Sequence, residues 1–169
     1  MHLTIAILVL LAGLKWGDWK NWPLYYSTVL YMIVFNLLFN VLTYNYPIWM
    51  YERSILPNHT LIDILNTFIL FPATIFIYLP RFPEGNRMKK ILYIFKWVAM
   101  YGMGEYFLKK LGYFSYYNGW NVFWSLGFNV IMFSMLRLHF KKPLLAMGVS
   151  IFIVLFFMLF FHVPINKMR

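Results

Sequence analysis

Hydrophobic residues form six runs along the chain, and short polar segments separate these runs. The runs cover residues 3–14, 24–43, 61–79, 91–108, 120–138 and 143–163. A helix that crosses a bilayer needs about 17–25 mostly apolar residues, and all the runs except the first have that length. Because the links are short, consecutive helices should be antiparallel neighbours. The pattern predicts an all-α fold, a polytopic transmembrane bundle of about six helices, with residues 1–169 as a single domain.

The first run is the shortest, and Trp16, Trp19 and Trp22 follow it. Tryptophan favours the membrane interface, so we expect a span that begins at Met1 and ends in this cluster. A signal peptide is the alternative, although no basic segment precedes the run and no clear small-residue cleavage site follows it. If the run does not cross the bilayer, the bundle has five spans. Pro72 lies inside the third run and predicts a kink there.

The composition also indicates that lipid is the solvent of this chain. Hydrophobic residues make up 62% of it and charged residues 12%, whereas a soluble domain carries about 25% charged residues. The aromatic share is 22%, which suits a bundle with many interfacial anchors. There is no cysteine, and this excludes disulfides, thiolate metal ligands and cysteine nucleophiles.

Positive charge is concentrated in the links, and the formal net charge is +10. Nine bases follow the first, third and fifth runs: Lys15, Lys20, Arg81, Arg87, Lys89, Lys90, Arg137, Lys141 and Lys142. Because five bases lie on the opposite side, the positive-inside rule predicts that both termini are outside. We expect the inner rim to contact anionic lipid through Arg87, Lys89, Lys90, Arg137, His139, Lys141 and Lys142. Nucleic acid is not an expected partner, because no basic face lies outside the membrane to receive it.

Amide and hydroxyl side chains recur at helical spacing in two of the runs. Asn36 and Asn40 lie one turn apart in the second run, and Ser125 and Asn129 lie one turn apart in the fifth. A polar group in hydrocarbon needs a partner. The first interpretation is therefore hydrogen bonding between helices, worth about 0.6 kcal/mol per contact on average. The alternative is a polar path or the lining of a ligand site.

Two carboxylates fall within the runs, and each has a structural and a functional interpretation. Glu105 precedes Lys109 by four residues, the favourable order for an ion pair along a helix. Asp63 follows Thr60 by three residues, which fits a capping box with Thr60 as the N-cap. The functional alternative is that both acids belong to a site, because an acid inside a membrane span is a site candidate by default.

The predicted topology gathers polar residues at the outer face. The candidate polar site there consists of Glu105, Asp63, His59, Glu52, Asn121 and Asn118, and His2 and His162 share that face. Carboxylates and imidazoles together could bind a divalent metal or transfer protons. However, the sequence contains no HExxH spacing, P-loop, GxGxxG or nucleophile elbow. We therefore assign no metal, no cofactor and no catalytic residue.

Several longer motifs give the chain a family resemblance. They are YNYP, LPNHTL, RFPEG, NGWN-x-x-WS and RLHxKxPLLA, and they are spread over most of the chain. In these motifs the chain resembles an uncharacterised family of small multi-pass membrane proteins from spore-forming Firmicutes. The resemblance implies a bacterial plasma membrane or spore membrane location and a multi-helix fold. It supplies no activity, cofactor or catalytic residue.

Three functional hypotheses fit these observations. The first, which we prefer, is a non-enzymatic membrane module that binds lipid, a small ligand or a partner membrane protein, including a second copy of itself. The second is a membrane-embedded enzyme that acts on a lipid or isoprenoid head group, with Glu105, Asp63 and His59 in an outward-facing cup. The third is a small permease, which needs a polar path from Asn121 through Asn129 and Asn36.

Overall fold

The computed structural model describes residues 2–52, 58–164 and 166. Six helices make up most of this part of the chain: α1 (His2–Trp16), α2 (Trp22–Leu42), α3 (His59–Tyr78), α4 (Arg87–Lys110), α5 (Val122–Lys141) and α6 (Pro143–Phe160). A 3-10 turn, Trp19–Asn21, leads into α2. The predicted all-α fold is confirmed.

Four of the helices are long and apolar enough to cross a membrane: α2 together with the turn before it, α3, α5 and α6. The outward surface agrees with this, because large apolar side chains such as Leu144, which is 84% exposed, point away from the bundle. Such a surface suits a lipid environment. The first helix, α1, is apolar but has 15 residues. The chain is a helical membrane protein.

The middle of α3 departs from regular α-helical geometry. Residues Asn66–Leu70 form a π-helical turn, and the α-helix resumes at Phe71 with Pro72 in its first turn. Proline has no backbone N–H and its ring crowds the carbonyl four residues earlier. A single widened turn relieves that crowding. The effect of Pro72, predicted as a kink, therefore takes the form of a π-helical turn.

The helices pack around α3 and α5. Helix α1 lies along α3, α2 packs on both α3 and α5, and α4 and α6 pack on α5. The contact between α1 and α3 is close, because a Cβ added at Gly13 would lie 2.7 Å from the Cβ of Ala73. Two hydrogen bonds hold the end of α1 in place. The indole of Trp19 donates to the Gly13 carbonyl (2.8 Å) and the Asp18 amide donates to the Phe76 carbonyl (3.1 Å).

A small sheet closes one end of the bundle. Strands β1 (Trp49–Tyr51) and β2 (Phe114–Tyr116) pair antiparallel, with Met50 opposite Ser115. They link the α2–α3 and α4–α5 connections, in which the sequence showed no clear alternation. We call this the sheet end; α1, α3 and α5 begin there. The nine bases that follow the first, third and fifth hydrophobic runs lie at the opposite end, which we call the basic end.

Candidate functional site

A cavity of about 630 Å³ lies inside the bundle. All of the first five helices contribute to its wall, and β1, β2 and Trp120 cover it at the sheet end. Ligand pockets in proteins commonly measure about 300–1,000 Å³, so the cavity has the volume of a small-molecule site. Its polar and apolar side chains are unevenly distributed along its length.

Asp63 stands at the sheet end of the cavity and is held by α2. The side-chain amides of Asn36 (3.3 Å) and Asn40 (2.7 Å) both donate to its Oδ2, and the hydroxyl of Thr67 lies 3.5 Å from the same oxygen. Asn36 also donates to the Thr67 hydroxyl (2.7 Å). These bonds join α2 to α3 and fix the carboxylate against the cavity. The predicted hydrogen bonding of Asn36 and Asn40 between helices is confirmed.

The capping box proposed for Asp63 is wrong. Helix α3 begins at His59, and the Asn58 side chain caps it by accepting a hydrogen bond from the Leu61 amide (2.9 Å). The helix therefore starts earlier than a Thr60 cap would allow. Asp63 therefore lies beyond the first turn, and its hydrogen bonds place it on the face of α3 that meets α2. The carboxylate is thus free of a capping role.

Glu105, near the end of α4, reaches the cavity from the opposite wall. The Tyr116 hydroxyl donates to its Oε1, and the Ser125 hydroxyl lies beside the same carboxylate. The ion pair predicted with Lys109 does not form. Instead the Lys109 ammonium lies over the ring of Tyr116, 4.1 Å from its centroid. Within the described ranges, the only ion pairs join Glu84 to Arg137 and Lys141.

Tyr51, in β1, connects the surroundings of the two acids. Its phenol lines the sheet end of the cavity and lies near the side-chain amide of Asn66. Burial raises the pKa of Tyr51 well above its usual value, and the charges of Asp63 and Glu105 raise it further. The phenol therefore keeps its proton. Both carboxylates act on this one hydroxyl, so they share one polar region although they come from different helices.

Two polar side chains that face the cavity each have a polar group without a hydrogen-bond partner within the described part of the chain. His2 is 4% exposed, and its Nε2 is a buried atom without a partner. The ring is held edge-on against Tyr51 (5.4 Å) and Tyr113 (5.8 Å). Asn129, in α5, is 7% exposed, and no hydrogen bond to its amide occurs. An unpaired polar group in a protein interior is costly, so such groups indicate a place that a ligand or water completes.

Towards the basic end the cavity wall becomes apolar. Its side chains there come from five helices: Val9, Ala12, Met32, Leu70, Phe71, Trp97, Met100 and Met132. One polar contact crosses this region, between the hydroxyls of Thr74 and Tyr101 (2.7 Å). At the far end lie Trp16, Ile77 and Lys96. From Asp63 to Ile77 along α3 is roughly 20 Å at the rise of an α-helix.

The cavity reaches the outer surface of the bundle between α1 and α4. Several of its wall residues on these helices are exposed, including Trp16 (53%), Met100 (45%), Lys96 and Gly104. Helices α1 and α4 pack mainly on α3 and α5 respectively. A molecule dissolved in the bilayer therefore meets the cavity from the side.

Four residues of the candidate polar site lie outside the cavity wall. The Nδ1 of His59 accepts a hydrogen bond from the Tyr51 amide (3.0 Å), and Glu52 accepts one from the Tyr117 hydroxyl (3.1 Å). Asn118 donates to the Pro47 carbonyl (2.7 Å). Asn121 is the N-cap of α5 and accepts from the Phe123 and Trp124 amides. All four hold loops and helix ends in place.

Ser125 and Asn129, both in α5, differ in the hydrogen bonds that they form. Ser125 accepts a hydrogen bond from the Trp120 indole (2.9 Å), so it fixes the loop before α5 as well as lying beside Glu105. Asn129 forms no bond between helices among the described residues. Both line the cavity, as the alternative interpretation of these residues expected.

At the basic end, the prediction that His139 contacts anionic lipid is wrong. His139 is 5% exposed, and its Nδ1 lies 3.0 Å from the Thr28 hydroxyl inside the bundle. Arg137 hydrogen-bonds Glu84 and lies 4.6 Å over the Phe82 ring. That hydrogen bond lowers the pKa of Glu84 below its ordinary value. Contact of lipid with Arg87, Lys89, Lys90, Lys141 and Lys142 stays a prediction.

No metal centre is evident in the ranges that the structure describes, because no three histidine or acidic side chains converge there. The sequence did not reveal the parts played by His2, Tyr51 and Asn66. Asn66 follows Asp63 by three residues and so shares its helix face, which was an available signal. His2 and Tyr51 reach the cavity only through the pairing of distant segments.

Comparison with known proteins gives no match: no protein-family model, no curated protein and no solved structure is significantly similar to this chain.

Proposed function

We propose that this protein binds an amphiphilic molecule within the membrane and is not an enzyme. The polar head of the ligand would lie between Asp63 and Glu105, and its apolar chain would extend towards Trp16. The observation that carries the proposal is a single cavity whose acidic side chains lie at the sheet end and whose wall towards the basic end is mainly apolar. An amphiphile has a polar head and an apolar chain, which fit these two parts of the cavity. Ligand pockets commonly combine apolar walls with a few polar groups that orient the ligand.

The route of entry supports a ligand taken from the bilayer. Exposed wall residues on α1 and α4 connect the apolar part of the cavity with the lipid phase. The cavity extends roughly 20 Å along α3, which is about two thirds of the thickness of the hydrocarbon core. A chain inside the cavity would therefore lie alongside the chains of the surrounding lipids.

The other two hypotheses receive less support. A permease needs polar groups through the whole bundle, but beyond Asn36 and Asn129 the wall consists mainly of apolar side chains. An enzyme built on His59 would need that ring in the cavity, and its Nδ1 is already bound to the Tyr51 amide. The two carboxylates that remain are compatible with binding alone.

The test uses two glycines that are open to substitution. Gly104 lines the cavity, and a Cβ added there would have no atom within 4 Å. A phenylalanine at this position would occupy cavity space without pushing the helix backbones apart. Gly127, in α5, is equally open but is not part of the cavity wall. The variants Gly104→Phe and Gly127→Phe therefore differ in whether the added ring lies at the cavity wall.

Each variant would be purified from its membrane in mild detergent, and the lipids that remain bound would be extracted and quantified by mass spectrometry. We expect the original protein and Gly127→Phe to retain a stoichiometric amphiphile and Gly104→Phe to lose it, with similar thermal stability for all three. If Gly104→Phe retains as much as Gly127→Phe, or if none of the proteins retains an amphiphile, the proposal is wrong.

A further inference from the structure

We infer that the sheet end of the cavity binds an ammonium group that carries N–H donors. The inference rests on the proposed function, since it names the chemical class of the head that this part of the cavity would hold. Two carboxylates and an unpartnered imidazole nitrogen line the wall of the cavity at this end.

The carboxylates have acceptor capacity to spare. The donors from Asn36, Asn40 and Thr67 all reach Oδ2 of Asp63, and no donor from the described residues reaches its Oδ1. A carboxylate has about four lone-pair sites, so Asp63 can accept further bonds. Glu105 accepts from Tyr116 through Oε1 and has the same capacity. Both carboxylates line the same cavity, so a ligand there could donate hydrogen bonds to either of them.

His2 adds a third acceptor. The backbone carbonyls of Glu52 and Tyr113 lie beside its ring, and a carbonyl can only accept a hydrogen bond. In the tautomer that carries its proton on Nδ1, Nε2 has a lone pair and can accept a hydrogen bond. Nε2 is a fully buried nitrogen that lacks a partner within the described ranges. A ligand with N–H donors would satisfy it.

The charges around this region favour a cation. Among the described residues that line the cavity, the one lysine or arginine is Lys96. It precedes Glu105 by nine residues in α4, roughly 14 Å along the helix axis. Lys109 is closer to Glu105, but it lies outside the cavity wall and over the Tyr116 ring. Buried carboxylates without a cationic partner attract one, and an anionic head would be repelled.

A primary ammonium fits these groups better than a quaternary one. It offers three N–H donors, and each bond from a charged donor to a carboxylate is stronger than a neutral hydrogen bond. A trimethylammonium has no N–H, so it would leave Nε2 of His2 and Oδ1 of Asp63 unsatisfied. A hydroxyl head has one donor and no charge. The experiment therefore compares ligands that differ only in these three head groups.

The experiment compares amphiphiles with the same dodecyl chain. Dodecylamine, dodecyltrimethylammonium and dodecanol would be added to the full-length protein in detergent, and native mass spectrometry would measure the occupancy of each after correction for micelle partitioning. We expect dodecylamine to bind about tenfold more tightly than dodecanol, as for one or two additional charged hydrogen bonds. The trimethylammonium analogue should lie between them.

The acid variants test the residues responsible. In Asp63→Asn combined with Glu105→Gln, the preference for dodecylamine over dodecanol should fall to about parity, while both still bind. Glu84→Gln, which removes an acid at the basic end, should keep the full preference. Circular dichroism would check that each variant is folded. The single substitutions Asp63→Asn and Glu105→Gln serve the same purpose if the double variant does not fold.

The outcomes separate the two proposals. If the amphiphiles bind and Gly104→Phe prevents this, but amine and alcohol bind equally, or the trimethyl analogue equals the amine, the ammonium inference is wrong and the proposed function stands. If no dodecyl amphiphile binds in a way that Gly104→Phe disrupts, both are wrong. Propylamine distinguishes the source. If it competes as well as dodecylamine, the ligand is a soluble amine and not a lipid.

Discussion

The substitution Gly13→Leu tests how closely α1 packs on α3, which forms one wall of the cavity. A Cβ at this position would lie 2.7 Å from the Ala73 Cβ and 3.2 Å from the Ala73 Cα. The second contact involves the backbone, so α1 must move away from α3. That movement would also strain the hydrogen bond from the Trp19 indole to the Gly13 carbonyl.

The size of the effect follows from two opposing contributions. Overpacking of a tight contact costs about 1–3 kcal/mol, and a leucine with its backbone clash belongs near the upper limit. Replacing glycine by leucine inside a helix returns about 0.8 kcal/mol through helix propensity. The net loss in the free energy of unfolding is about 2 kcal/mol, which is more than a tenfold change in the folded-to-unfolded ratio.

Reversible unfolding in mixed micelles with increasing dodecyl sulfate, followed by circular dichroism, would measure this loss. Gly127→Leu is the matched control, because a Cβ at Gly127 meets no atom within 4 Å. It should be neutral or slightly stabilising. Ala73→Gly should rescue Gly13→Ala by removing the nearer contact. Equal stability of Gly13→Leu and Gly127→Leu would refute the packing described for α1 and α3.

Three further predictions concern the two ends of the bundle. The pKa of Glu84 is lowered in the folded state by the hydrogen bond from Arg137, so this pair stabilises the fold above the ordinary glutamate pKa and the stabilisation is lost as pH falls through the lowered value. Unfolding measured across acidic pH should therefore be less pH-dependent in Glu84→Gln. Thr28→Val removes the contact with His139 and should cost about 0.6 kcal/mol in the same unfolding assay; no loss would mean that this contact contributes nothing. In this cysteine-free chain, Tyr117→Cys should react with an impermeant maleimide on intact cells and Glu84→Cys should not, and the reverse labelling would invert the predicted orientation.

The helices could be predicted from the sequence because the bilayer imposes their length. A run of about twenty apolar residues has few alternatives in a membrane, so the six helices appear close to their expected positions. The exact start of α3 was missed, because Asn58 and Thr60 are both good N-caps and only the geometry of the loop decides between them. The sheet was missed because β1 and β2 are three residues each and lie far apart in the chain.

The site was predictable only in outline. Because consecutive helices run antiparallel, Asp63 near the start of α3 and Glu105 near the end of α4 lie at the same end of the bundle. Both line the cavity. Sequence does not reveal which side chains point inward, so His59 and Glu52 were grouped with them although they support the loop structure. The role of His2 depends on the sheet, which was itself unforeseen.

Photo-crosslinking tests the central claim, the binding of an amphiphile inside the bundle, most directly. A dodecylamine derivative with a diazirine near the end of its chain would be irradiated with the purified protein, and the modified residues would be mapped by mass spectrometry. We predict saturable labelling of the apolar cavity wall, at Val9, Phe71 and Met100, that unlabelled dodecylamine prevents. Labelling confined to exposed outward side chains such as Phe152 and Leu159, without saturation, would contradict the account.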